Sequence, residues 1–242
     1  MPAHVAPFDL VIFDCDGVLV DSERVTNRIF AAMLTDIGLP ATLETVFEHF
    51  VGRSMATCQR VVTEMLGREP PAGFWEEYER RTVAAMRREL RAVDGIEEAL
   101  DRITLPWCVA SSGGHAKMRT TLGLTGLLPR FEGRLFSATE VAHGKPAPDL
   151  FLHAAARCGA VPEACLLVED APAGVLGGRA AGMTVCGYAG HTPAYRLREA
   201  GAHRVITDMR RLPSIVAEGR AAFGERGGMS GEARDGARNA HS

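Results

Sequence analysis

Residues 8–23 read FDLVIFDCDGVLVDSE, apolar without interruption from Leu10 to Phe13 and then delivering Asp14 and Asp16 directly ahead of Gly17. A short unbroken run of β-branched and aromatic residues is the signature of a strand buried on both faces, as in a parallel sheet covered by helices. Two acids therefore emerge together at a strand tip, the end of an α/β sheet where ligands bind. Gly17 allows the backbone to turn tightly behind them. Taken alone, Asp14, Asp16 and Asp21 are equally consistent with turn and capping chemistry, the usual work of aspartate beside glycine. A second pair changes the balance. Residues 164–170, ACLLVED, form another short apolar run that ends in Glu169 and Asp170. Two strands that each finish in paired carboxylates repel one another unless a cation lies between them, and Mg2+ suits a site with few protein ligands plus a phosphate.

The rest of the chain supplies the frame for these tips. From residue 93 onward, strand-like runs at Pro106–Ser111, Gly133–Phe136, Cys165–Val168, Thr184–Tyr188 and Arg204–Ile206 alternate with helical patterns at 95–103, 115–122, 148–158, 173–181 and 194–200. Such alternation predicts an α/β fold with a doubly wound parallel sheet, Rossmann-like in its core. Residues 22–91 look purely helical. Val25, Ile29, Ala32, Met33 and Ile37 share one helical face, and breaks at Gly38–Pro40 and Gly67–Gly73 divide the stretch into about four helices. The first strand lies before this stretch and the others after it, so residues 21–92 are expected to be a helical bundle inserted into a core formed by 1–20 and 93–216. Residues 217–242, rich in glycine, arginine and alanine, are expected to be disordered.

Composition excludes several classes. A net charge of -3 with scattered basic residues gives no footprint for nucleic acid. No apolar stretch approaches the ~20 residues that span a bilayer, and MPAHVAPFD lacks the charged and long apolar regions of a signal peptide. The six cysteines show no CxxC spacing, which predicts small buried hydrophobes in a reducing cytoplasm rather than disulfides or a zinc site. Cys15, between the two acids, should face away from them, because successive strand residues point to opposite sides.

Four segments fall at the ends of core strands: Asp14 with Asp16; WCVASSGGH, where Ser111, Ser112 and Gly113 lead into a helix near Lys117; HGKPAPD with Lys145; and Glu169 with Asp170. Hydroxyls and free amides at a helix start suit phosphate oxygens, although they are also ordinary capping groups. Near four carboxylates, Lys145 would act as a fixed countercharge. In this order the motifs DxDGxLxDS, the strand-end serine, GKPxPD, and ED followed by AGVLGGRAAGM resemble the haloacid dehalogenase superfamily. The branch indicated is that of the β-phosphoglucomutase-like sugar phosphatases, which carry an inserted helical cap.

That resemblance implies a role for each residue. Asp14 is the expected nucleophile, forming an aspartyl phosphate. Mg2+ would be held by Asp14, the backbone carbonyl of Asp16 and Asp170, with help from Glu169. Asp16 would protonate the leaving alkoxide and then take a proton from water. Ser111, Lys145 and the amides of Ser112 and Gly113 would bind phosphoryl oxygens. The resemblance also weighs reaction types. Mutases of the branch carry a cap histidine, arginine and lysine, and here those positions fall on Thr26, Met55 and Thr82, with Arg53, Arg80 and Arg81 nearby. Hydrolysis is therefore expected over a β-phosphoglucomutase-type transfer. A dehalogenase would lack Asp16, and a phosphonatase would need a cap lysine, which residues 22–91 do not contain. The partner that the resemblance implies is a small phosphorylated metabolite, a sugar phosphate or sugar-acid phosphate with phosphoglycolate as the alternative, bound by a monomer or weak homodimer. Arg53 and His49 are the expected selectivity residues, and His191 is read as an ordinary loop histidine.

Overall fold

The computed structural model describes residues 7–50 and 55–223. Six strands, β1 (Leu10–Phe13), β2 (Trp107–Ser111), β3 (Leu135–Ser137), β4 (Cys165–Glu169), β5 (Thr184–Tyr188) and β6 (Arg204–Ile206), form one parallel sheet in the order β3-β2-β1-β4-β5-β6. The apolar run of β1 is buried throughout because the strand is central. Leu10 and Ile12 pack into the core on one face, while Val11 and Phe13 pack into the core on the other. From β1 the chain builds outward to β3, then returns to β4 and builds the other way. The boundary between β1 and β4 is thus the topological switch point, the crevice where α/β sheets bind ligands. Phe13 pairs with Val168 across it, so the residues that follow each strand emerge side by side.

Between β1 and β2 the chain forms α1 (Ser22–Asp36), α2 (Leu43–His49), α3 (Met55–Leu66) and α4 (Phe74–Glu89). These helices bury their own core of Phe30, Met33, Leu34, Val46, Phe50, Val62 and Phe74, with Trp75 and Tyr78 packed against it. Phe30 and Phe50 meet edge to face at 4.9 Å. The two linkers to the sheet run against each other. Asp21 N donates to Arg91 O at 2.9 Å and Val93 N to Leu19 O at 3.0 Å, which closes the ends of the insertion at little entropic cost.

Helices α5 (Ile96–Arg102), α6 (His115–Leu124) and α7 (Leu128–Phe131) cover the face that holds Val11 and Phe13, joined by α11 (Leu212–Glu218). Helices α8 (Asp149–Arg157), α9 (Pro172–Ala180) and α10 (Ala194–Glu199) cover the other. The core is therefore three layers, as the alternation predicts. Three details differ from the sequence reading. β3 starts two residues late because Gly133, at φ +77°, belongs to the preceding turn. The four-residue α7 was not expected. The disorder expected from residue 217 does not begin there: α11 runs to Glu218, and Gly219–Phe223 form a 3-10 turn. Phe223 explains the extension, since its ring meets Phe8 edge-on at 5.8 Å and supplies an apolar anchor that average composition conceals. Residues 224–242 lie outside the described residues.

Candidate active site

Asp14 follows β1, Glu169 ends β4 and Asp170 succeeds it, so the switch point brings three carboxylates to one place. They are 7%, 0% and 3% exposed, and one oxygen from each lies within 4.8 Å of the others. Lys145 joins two of them: its Nζ donates to Asp14 Oδ1 at 2.6 Å and to Glu169 Oε1 at 2.5 Å. Glu169 Oε2 accepts from the Ala171 amide at 2.7 Å, so both of its oxygens are engaged. Burial pushes the Asp14 carboxyl up to about 7; Lys145 opposes the rise, and Glu169 and Asp16 add to it. Asp170 is also driven well above the carboxylate range, chiefly by burial, then by Glu169, Asp14 and Glu23. Burial works against the charge of Lys145, but Asp14 and Glu169 outweigh it and keep the ammonium protonated.

These groups fit a hard divalent cation. One ammonium faces three buried carboxylates, and Asp14 and Asp170 are raised first by burial and then by their acidic neighbours. The ammonium is bonded to Asp14 and Glu169 but not to Asp170, which leaves Asp170 and the second oxygen of Asp14 as carboxylate donors. All the donors are oxygen, the set that Mg2+ prefers. The backbone is shaped around the acids. A Cβ on Gly17, where φ is +79°, would lie 2.0 Å from Asp170 Oδ2, and one on Gly174 would lie 1.8 Å from Glu169 Oε1.

Asp16 stands apart from this cluster. Ser22 Oγ donates to its Oδ1 at 2.7 Å, and Lys117 Nζ to its Oδ2 at 2.6 Å. Cys15 turns the other way into the core, with its Sγ 3.9 Å from Thr121 Oγ1. Ser111, 1% exposed, ends β2 and accepts from the Gly113 amide at 3.0 Å, while Ser112 is exposed. The loop is held from behind: Ser137 Oγ donates to Gly113 O at 2.9 Å, and Ser137 N donates to Glu140 Oε2 at 2.6 Å. Lys117, Ser137 and Glu140 were not assigned to the site from sequence. For the last two a signal existed, since SATE is a capping box.

His49 ends α2 with its ring against Phe50 and its Nε2 3.9 Å from Glu48, and none of these contacts is with the catalytic strands. Arg53 lies outside the described residues. Thr26, Met55 and Thr82 line a cleft of about 910 Å³ that α6 closes with Lys117 and Thr121. His191, expected to be a plain loop residue, instead pairs its Nε2 with Asp21 Oδ1 at 2.7 Å, linking the loop after β5 to the linker that enters α1. No described helix is long and apolar enough to cross a membrane.

A family model described as haloacid dehalogenase-like hydrolase matches residues 8–182. The chain is 36% identical over 178 residues to 6-phosphogluconate phosphatase of Escherichia coli (strain K12), covering 73% of this chain and 80% of that one. Among solved structures it is similar to a conserved haloacid dehalogenase-like protein of unknown function from Agrobacterium tumefaciens, with a TM-score of 0.82 at 38% identity, over 87% of this chain and 98% of the other. It is also similar to a HAD family hydrolase from Deinococcus radiodurans solved with bound phosphate and sodium, with a TM-score of 0.80 at 32% identity, over 88% and 96% of the two chains.

Proposed function

The chain belongs to the haloacid dehalogenase-like hydrolase family and is a phosphoric monoester hydrolase; from that premise we propose a Mg2+-dependent phosphatase that hydrolyses a small sugar phosphate or sugar-acid phosphate through an aspartyl phosphate. The observation that carries this reading is the buried group of Asp14, Glu169 and Asp170 at the β1–β4 switch point, with Lys145 bonded to the first two. Asp14, Asp170 and the carbonyl of Asp16 would hold the ion, with Glu169 orienting Lys145 rather than binding directly. Bound there, Mg2+ would offset the carboxylates' charge and that of the phosphoryl group.

The chain's own groups then divide the work. Lys145 steers one oxygen of Asp14, which forms the new bond to phosphorus as the ester P–O bond breaks, while the second oxygen is the one that would meet the ion. The electron pair of the broken bond goes to the leaving oxygen, which takes the proton of Asp16. In the second half, water attacks phosphorus and gives its proton to Asp16, and the acyl phosphate bond breaks to restore Asp14 and release phosphate. The Ser111 hydroxyl, oriented by the Gly113 amide that donates to it, holds a phosphoryl oxygen, where charge stabilisation matters most. Asp16 can serve the leaving group because its carboxyl lies outside the three-acid cluster. The helical unit acts as the cap over this site. Thr26, Met55 and Thr82 at the three positions that mark the mutases favour transfer to water over transfer to a second sugar.

The test is phosphate release by the purified protein from phosphorylated sugars and sugar acids, with Mg2+ and with chelator, alongside folded Asp14→Asn. Release that requires Mg2+ and Asp14 is expected. Equal release in chelator, or by the variant, overturns the mechanism.

A further inference from the structure

Asp16 is held from two sides by groups of different kinds. Ser22 Oγ donates to Oδ1 at 2.7 Å, and Lys117 Nζ donates to Oδ2 at 2.6 Å. A hydroxyl is enough to orient a carboxyl group. An ammonium brings in addition a full charge and three donors, of which Asp16 engages one. Lys117 is the third residue of α6, and its side chain is 50% exposed where it lines the 910 Å³ cleft between α6 and the cap helices. Lys145 is the opposite case: its side chain is 7% exposed and its ammonium is bonded to two acids. Lys145 therefore serves the attacking carboxylate, whereas Lys117 stands beside the acid that meets the departing oxygen. Lys117 is thus shared by the pair with Asp16 and by the cleft, and the group carried by the departing oxygen would lie on that side.

The cleft is apolar around this cation, with Trp75, Tyr78, Met86 and Leu124 among its walls. Its other charged residues, Glu76, Glu79 and Arg87, are all on α4, a cap helix, and Lys117 is the cation that the core supplies beside Asp16. In such a pocket a few charged groups decide which ligand binds, because a charge removed from water must be paired. Resting on the phosphatase reading, we infer that Lys117 selects a leaving alcohol that carries its own carboxylate. The preferred substrate is thus the phosphate ester of a hydroxy acid of the aldonic type rather than of a neutral sugar.

The experiment compares a six-carbon aldonic acid 6-phosphate with the alditol 6-phosphate of the same configuration, and with p-nitrophenyl phosphate, for the wild type, Lys117→Met and Lys117→Arg. A charge-assisted contact predicts that the wild type favours the acid by about tenfold or more in kcat/KM. Lys117→Met should bring that ratio near one, and Lys117→Arg, which keeps the charge, should retain most of it. Melting temperatures of both variants report folding separately. A wild type indifferent to the carboxylate, or a Lys117→Met variant that keeps the preference while both rates fall together, overturns the inference and leaves Lys117 as a support for Asp16. If the wild type hydrolyses none of the three esters, the phosphatase reading falls and this inference with it.

Discussion

Gly17 has no side chain where Asp170 needs room: a Cβ at residue 17 would lie 2.0 Å from Asp170 Oδ2. The two residues come from different strands, and the turn after β1 closes against the tip of β4 only because one of them lacks a Cβ. Gly17→Ala also meets a φ of +79° that alanine resists. It should cost about 1–3 kcal/mol of stability and displace Asp170. Chemical denaturation and phosphatase assays check this together. Wild-type activity in a destabilised Gly17→Ala would show that Asp170 is not needed where it stands.

Mg2+ should stabilise the fold, because it relieves the repulsion among Asp14, Glu169 and Asp170. At a hundredfold excess over its dissociation constant the gain is about 2.7 kcal/mol, or several degrees in Tm for a chain of this size. Thermal melts with and without the ion read it directly. Asp170→Asn should abolish most of the shift, and an undiminished shift would move the ion elsewhere.

Removing the acid at residue 16 should depend on the leaving group. Asp16→Asn is expected to lose about a hundredfold or more on alkyl phosphates, whose alkoxides need a proton, and far less on activated aryl phosphates. Steady-state kinetics on both ester types decides. Equal losses would assign Asp16 a different role.

Ser137 is completely buried behind the phosphate loop, and its hydroxyl supports the Gly113 carbonyl at 2.9 Å. Ser137→Ala should raise KM, and the inhibition constant for inorganic phosphate, about fivefold, the worth of one hydrogen bond. A purely structural role would lower Tm and leave the phosphate constant unchanged.

The His191–Asp21 pair predicts a pH dependence at the linker that enters α1. The hydrogen bond to Asp21 raises His191 above its ordinary 6.5, with burial opposing, Glu23 assisting and Arg24 opposing. The same bond holds Asp21 below its ordinary 3.8. A raised histidine contributes stability that is complete below its unfolded value and fades as pH rises through the folded one. A lowered aspartate contributes stability that is present above its unfolded value and fades as pH falls through the folded one. The pair is therefore strongest between the two ordinary values, from about pH 4 to about pH 6.5. His191→Gln should remove about 1 kcal/mol in that window and little above pH 8. Tm measured against pH for both proteins checks it, and parallel curves would refute the coupling.

Much of the catalytic frame was legible before the fold was known, because local patterns carry it. The run Leu10–Phe13 announces a central strand, and ACLLVED announces another. Both signals lie within a few residues of the acids they deliver. The cap was less legible. His49 and Arg53 stood out as polar residues in a helical stretch, but helical periodicity states only which face is apolar and not what the polar face meets. Phe223 was overlooked for a related reason: one aromatic anchor disappears in a window dominated by glycine and arginine, although the rings of Phe8 and His203 both pack against it.

The sequence by itself therefore determined the chemical inventory: parallel strands, two pairs of acids at their tips, a strand-end serine, a lysine before proline and an inserted helical stretch. Tertiary structure alone decided the partnerships. Lys145 meets Asp14 across 131 residues, Lys117 meets Asp16 across 101, and His191 meets Asp21 across 170. Contacts at such separations follow from the strand order that sets β1 between β2 and β4 and from the loops that return to its tip, geometry that no local periodicity encodes. The same geometry separates the two lysines, one buried at the attacking carboxylate and one open to the cleft beside the acid.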